Sequence, residues 1–300
     1  MRAARLHGIG ETPRVEEVPD PSGPNLIRVA VAGLNPVDVS TAEGRFYGGT
    51  PGLPYIVGGE AVGTTEDGRR VWTRSRATVA EWAPTDPAWT FEVPAGLDES
   101  VAVACGIAGL TAWLAVRWRA EVNENDTVLV LGASGTVGRT AVQAAKLLGA
   151  KRVIGAARRT ARVPSAADDV VELGEEYELP RASVIIDALW GEPSERALAA
   201  AAPGVRLVQL GQSAGSVARL QSSWVRGKVA NVLGFSLYPI PAEVAAAAYA
   251  ELCGHARDGR ISFDFEVFAM DRFGAAWERQ ASGSPGLKVV VDPTATLTSP

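Results

Sequence analysis

The sequence predicts an α/β fold in which a doubly wound parallel sheet is inserted into a β-rich domain. Three observations predict it. Residues 127–159, TVLVLGASGTVGRTAVQAAKLLGAKRVIGAARR, read as a buried strand, a glycine turn, an amphipathic helix and a second strand. Strand-like and helix-like runs keep alternating after that unit, to about residue 238. Residues 1–100 are instead dense in glycine and proline and break into short runs.

In the first hundred residues the runs Leu26–Ala32, Ala61–Thr65 and Thr78–Trp82 have the length and residue types of short strands joined by turns. Residues 98–120 are alanine-rich and largely apolar, with Asp98 as an N-cap and Gly106 and Gly109 as interruptions of a helix. Thr127–Leu131 is the β-branched and leucine run of a strand buried on both faces. Beyond the turn, Val137, Ala141, Ala144, Ala145 and Leu148 recur at spacings of three and four, and Gly149 ends the helix. Val153–Ala157, Asp169–Leu173, Val184–Leu189, Val205–Leu210 and Val229–Leu237 read as further strands, with a helix over 194–202. After Pro241 come a helix, EVAAAAYAELCGHA, and a tail that reads strand, helix, turn, strand. A tail of that kind returns to the first domain. The domains are therefore 1–104 with 239–300, and 105–238.

The turn after Leu131 is an anion site. The first N–H groups of a helix lack carbonyl partners and carry the positive end of its dipole, and Gly132, Gly135 and Gly138 let a pyrophosphate approach the main chain. Placed between a strand and an amphipathic helix, the triplet points to a dinucleotide; a tight turn with no ligand is the plain alternative. A carboxylate at the end of the second strand would favour NAD by accepting from its ribose hydroxyl. Arg158 and Arg159 stand there instead, and planar guanidinium forks match the extra phosphate of NADP(H).

The chain has 300 residues, a net charge of −5 and a sequence pI near 5.3, which argues against a nucleic-acid partner. Two separated cysteines, Cys105 and Cys253, outline neither a disulfide framework nor a structural zinc, and fit a reducing cytoplasm. No signal peptide is evident at the start, and no stretch has the uninterrupted apolar length of a membrane span.

The motifs GLNPVD at 33–38, GGEAVG at 58–63, VPAGLDES at 93–100, GLTAW at 109–113, the 128–150 unit, VIIDALWG at 184–191 and GLKVVV at 286–291 occur in this order over nearly the whole chain. In this the sequence resembles the zinc-independent quinone oxidoreductase branch of the medium-chain dehydrogenase/reductase superfamily. The resemblance implies a Rossmann nucleotide domain within a GroES-like domain, and commonly a homodimer that pairs edge strands, here Val229–Leu237. Zinc-dependent members of the superfamily use a cysteine in the first motif and a histidine in the second. These positions read Asn35-Pro36-Val37-Asp38 and Gly58-Gly59-Glu60, and the only histidines, His7 and His255, lie far off, so no metal is expected.

By position, the resemblance sets the pyrophosphate against Ala133, Ser134, Gly135, Thr136, Val137 and Gly138, and the 2′-phosphate near Arg158 and Arg159. It sets the nicotinamide near Asn35 and Thr111, bordered by Gly211, Gln212, Leu233 and Phe235, with Lys288 near the mouth of the cleft. Plainer roles exist: Asn35 shaping a turn before Pro36, Thr111 bonding back within its helix, Lys288 lying exposed at an edge. The sequence departs from the family in having Ser40 and Thr41 where many relatives carry a tyrosine, and in a trimmed stretch at 64–92.

Without a metal or a Ser/His/Asp set, the expected chemistry is hydride transfer from NADPH to a small molecule, a quinone or an α,β-unsaturated carbonyl. Donors for the developing oxyanion are Asn35, Tyr47, Tyr55, backbone N–H groups or water. Trp72, Trp82 and Trp89 either line an aromatic-accepting pocket or pack in the core. The rival expectations are an enoyl reductase acting on a thioester or a biosynthetic intermediate, and a redox-responsive NADPH-binding protein of low turnover.

Overall fold

The computed structural model describes residues 1–283 and 286–295. The chain divides into two compact units, the first formed by Met1–Ala108, Pro241–Gly259 and the segment from Phe263, the second by Gly109–Ile240 with Arg260–Ser262. The divisions fall four and two residues beyond the sequence boundaries at 104 and 238, and three residues near 260 join the second unit.

The first unit opens with β1 (Arg2–Leu6), β2 (Arg14–Glu17), β3 (Leu26–Leu34), β4 (Tyr55–Ile56), β5 (Glu60–Thr65), β6 (Arg70–Arg74), β7 (Trp82–Pro84) and β8 (Thr90–Glu92). β1, β2 and β4 form a small antiparallel sheet. β3 pairs with β5 across a bulge between Val29 and Val31, where the strands come so close that a β-carbon on Gly63 would lie 2.3 Å from the Arg28 carbonyl oxygen. The runs expected from sequence did not include β1, β2, β6 and β8, whose polar and charged residues mask the two-residue alternation, or β4, which is only two residues long. Thr78–Trp82, read as a strand, makes only an isolated bridge at Ala80 before β7 starts at Trp82; Ala77, at φ 60°, turns the chain there.

The second unit carries β9 (Thr127–Leu131), β10 (Arg152–Ala157), β11 (Asp169–Glu172), β12 (Val184–Asp187), β13 (Arg206–Gln209) and β14 (Asn231–Gly234). All are parallel, in the order β11-β10-β9-β12-β13-β14. The sheet runs outward in both directions from β9 and β12, so the chain reverses its winding between them, the place where doubly wound sheets take ligands. Leu129, Leu131, Ile154, Ile185 and Leu207 fill one core of this unit together with Leu198 of the helix Glu192–Ala200. The expected strand Val229–Leu237 is reduced to β14, because Val229 at φ 51° bends the chain and the helix Ser222–Gly227 precedes it.

Asp98 caps its helix as expected, its carboxylate accepting from the N–H groups of Ser100 and Val101. Gly106 breaks the helical path at φ −62°, ψ −127°, whereas Gly109 remains helical. One expectation needs correction: Glu99–Arg119 is apolar and long enough, by length and composition, to cross a membrane, although 78% of its most apolar window is buried in the fold. The return strands are β15 (Phe265–Ala269) and β16 (Lys288–Asp292). β16 lies antiparallel to β3, pairing Val289 with Leu34 and completing the larger sheet of the first unit.

Candidate functional site

In the second unit, the ends of β9, β10, β12 and β13 bring the turn residues to one edge of the sheet. Gly132 follows β9 at φ +81°, and a β-carbon on Gly138 would come 2.1 Å from the Gly132 carbonyl oxygen. Glycine at both positions therefore seats the helix Thr136–Leu147 directly against the end of the strand. Gly135 is its N-cap, and no side chain caps the helix, so its first N–H groups stay available to an anion. Ala133 is buried here, while Ser134, Gly135, Thr136 and Val137 are half-buried.

Arg158 and Arg159 follow β10, the parallel neighbour of β9, and both are exposed. Among the described residues neither guanidinium has a hydrogen-bond or ion-pair partner. Gly211 and Gln212 follow β13, and a β-carbon on Gly211 would stand 2.9 Å from the Ala188 carbonyl oxygen. Leu233 lies in β14 and Phe235 just after it, both half-buried; Thr111, in the helix Leu110–Leu114, is half-buried as well.

Asp187, at the end of β12 beside the reversal point, was not singled out by sequence reading. Its buried carboxylate accepts from the N–H groups of Leu189 and Trp190, both at 2.9 Å, and from the Ser194 hydroxyl. It thereby holds a turn in which Trp190 and Gly191 both have positive φ. Burial pushes its carboxyl above the usual range against those three donors. A lone aspartate closing an apolar strand was the signal in the sequence.

The first unit contains a second constellation, buried and polar. Glu60, fully buried at the start of β5, accepts four hydrogen bonds: Oε1 from Asn35 Nδ2 at 2.8 Å and Lys288 Nζ at 2.5 Å, Oε2 from the Trp72 indole at 2.9 Å and the Ile107 N–H at 2.7 Å. Lys288 is 2% exposed and also donates to Asn35 Oδ1 at 2.7 Å. The exposed edge role open to Lys288 in the sequence is thus excluded. Asn35 itself is 3% exposed and precedes the helix Pro36–Ala42. Asp38, in the first turn of that helix, accepts from the Asn35 N–H at 2.7 Å. Burial raises the Asp38 carboxyl to about 7; the Asn35 N–H, the Lys288 charge and the Asn35 side chain pull it down, and Glu60 pushes it up.

The two candidate tyrosines differ sharply. Tyr47 is 82% exposed, its ring 4.6 Å from that of Phe46. Tyr55 is half-buried on β4, its hydroxyl is shielded from solvent with no hydrogen-bond partner among the described residues, and desolvation lifts its pKa to about 12 with help from Asp38. Trp72 is core, stacked on Tyr249 at 5.1 Å; Trp89 is also buried, with the Arg74 guanidinium 3.4 Å above its ring, and Trp82 is exposed. Among the described residues no group of three or more His, Cys, Asp or Glu is placed to hold a metal ion.

No protein-family model matches the chain. Among solved structures, the quinone oxidoreductase of Thermus thermophilus, determined also in complex with NADPH, is 27% identical and superposes with a TM-score of 0.82, covering 97% of this chain and 100% of that one. The fold is that of the quinone oxidoreductases. A mycobacterial quinone oxidoreductase superposes at a TM-score of 0.85 with 22% identity, over 98% of this chain and all of its own. By sequence, the quinone oxidoreductase of Pongo abelii is 35% identical over 175 residues, 52% of this chain and 53% of that protein. A phenolphthiocerol/phthiocerol polyketide synthase chain of Mycobacterium tuberculosis is 28% identical over 297 residues, 88% of this chain. The chain spans 13% of that synthase and about half of the Pongo abelii quinone oxidoreductase.

Proposed function

We propose that the chain is an NADPH-dependent, metal-independent reductase that passes a hydride to a quinone or an α,β-unsaturated carbonyl. The observation that carries this reading is the pair Arg158–Arg159, two guanidiniums at the end of β10 with no partner among the described residues, beside the helix after β9 whose N-terminus no side chain caps. Two positive forks next to an open helix N-terminus suit a pyrophosphate and a third phosphate together. The fold shared with quinone oxidoreductases, one of them solved with NADPH, supports it.

NADPH supplies the hydride when bound, and the chain's own residues bind and orient. The N–H groups opening the helix Thr136–Leu147 hold the pyrophosphate along Ala133–Gly138, and Arg158 and Arg159 hold the 2′-phosphate. Gly211, Gln212, Leu233, Phe235 and Thr111 border the nicotinamide. Asn35 donates to the oxygen that gains charge, and the Tyr55 hydroxyl holds the proton that the reduced product takes up. Tyr47, far more exposed, touches substrate only at its approach.

A second reading is favoured by the polyketide synthase match, which extends over 88% of this chain: reduction of an enoyl thioester. Following NADPH oxidation at 340 nm with a 1,4-quinone, a simple enone and a crotonyl thioester separates the two. Turnover with quinone or enone supports the first reading, and turnover confined to the thioester supports the second. Tight NADPH binding with no turnover of any of the three would defeat both and favour a redox-responsive binding protein.

Two further assignments belong to this reading. β14 is an edge strand, with Val232 exposed in it and Val229 exposed just before it, and we assign it as the edge that pairs with a second copy to form a homodimer. Cys105 and Cys253 are both free and buried, in keeping with a cytoplasmic location.

A further inference from the structure

Asn35 has more partners than a free donor would. Its amide offers a carbonyl oxygen and two N–H donors. The oxygen accepts from the Lys288 ammonium at 2.7 Å, and one N–H donates to Glu60 Oε1 at 2.8 Å. Turned over, the same amide would face its NH2 to an ammonium and its oxygen to a carboxylate, and both contacts would become repulsive. The two charges therefore choose between orientations that the shape of the amide alone leaves equivalent.

The pair that does the choosing is itself firmly seated. Glu60 Oε2 is taken by the Trp72 indole and the Ile107 N–H, which stops the carboxylate from rotating away. Lys288 reaches Glu60 only because residue 33 is glycine: a β-carbon there would lie 2.7 Å from Lys288 Cε and 2.9 Å from Glu60 Oε1. Burying an ion pair is costly unless its remaining donors and acceptors are satisfied, and this pair spends them on Asn35, Trp72 and Ile107.

We propose that Glu60 and Lys288 are positioning residues that clamp the Asn35 amide from both ends and so fix the direction of its second N–H. This rests on the reading that Asn35 meets the oxygen reduced in the reaction. The clamp makes that donor preorganised: its direction is set before substrate arrives, so none of the reaction's free energy goes into turning it.

The double variant Glu60→Gln with Lys288→Met tests the clamp. The substituted glutamine turns its oxygen to Trp72 and Ile107 and its NH2 to Asn35, whose amide flips to accept and so turns its own NH2 towards the methionine; the site carries no net charge. The expected result is wild-type circular dichroism, NADPH affinity within about twofold, and a kcat for a 1,4-quinone lower by about tenfold or more, with KM little changed. Asn35→Ala should lose as much, and adding it to the double variant should cost nothing further, since both act through one amide. A double variant that turns over like wild type, or losses that multiply, overturns the clamp. If Asn35→Ala leaves kcat intact, the reading of Asn35 fails instead. Should the double variant not fold, wild-type 15N spectra decide: one protected and one fast-exchanging Nδ2 proton on Asn35 supports the clamp, and two protons exchanging alike overturn it.

Discussion

The Ile107 N–H reaches Glu60 Oε2 at 2.7 Å because the residue before it, Gly106, has left the helical path. A β-carbon on Gly106 would lie 2.2 Å from both Glu60 Oε2 and Trp72 Nε1, so the glycine supplies the kink and also the space for the carboxylate. Gly106→Ala should therefore destabilise the chain by about 3 kcal/mol or more, the scale of overpacking combined with a disrupted buried network. Urea denaturation measures it, and a change below about 1 kcal/mol would show that the site relaxes freely.

Asp38 makes stability depend on pH. Its carboxyl is raised from 3.8 to about 7, chiefly by burial, so between those values the folded chain binds a proton that the unfolded chain has lost. Its contribution to stability is complete below about pH 4 and is lost as pH rises through about 7. Relative to Asp38→Asn, which keeps the acceptor for the Asn35 N–H and does not ionise, wild type should lose about 1.4 kcal/mol per pH unit across that window. Paired denaturation curves at pH 4.5 and 7.5 check it, and a difference independent of pH would contradict it.

Tyr55→Phe removes a buried hydroxyl that bonds to nothing among the described residues. Deleting an unsatisfied polar atom relieves a desolvation cost, so Tm should hold or rise by about 1–3 °C while turnover falls. A lower Tm would reveal a structural partner for the hydroxyl, and unchanged turnover would end its assignment as proton holder.

The parts legible in the sequence were those written in local pattern. Thr127–Leu131, the glycine turn and the stripe from Val137 to Leu148 lie within one βαβ unit, and Asp98 announces its helix by position alone. The Glu60 cluster was opaque for the opposite reason: Asn35 and Lys288 are 253 residues apart, and only the register of β16 on β3 brings them together. In its own window Lys288 opens an apolar strand and looks like any edge lysine. Glu60 likewise reads as a charged residue beginning a strand, and nothing near it foretells four donors. The strand foreseen at Val229–Leu237 is there but shorter, as β14, because apolar content was read without the backbone turn at Val229.

The central claim is that the chain takes NADPH through Arg158 and Arg159. Fluorescence titration with NADPH and NADH, on wild type and on Arg158→Ala with Arg159→Ala, tests it most directly. Wild type should prefer NADPH by about tenfold or more, and the double variant should lose that preference mainly through weaker NADPH binding, as expected when two charge-assisted contacts to one phosphate are removed. Equal affinities for the two nucleotides in wild type, or a preference that survives both substitutions, would contradict the account.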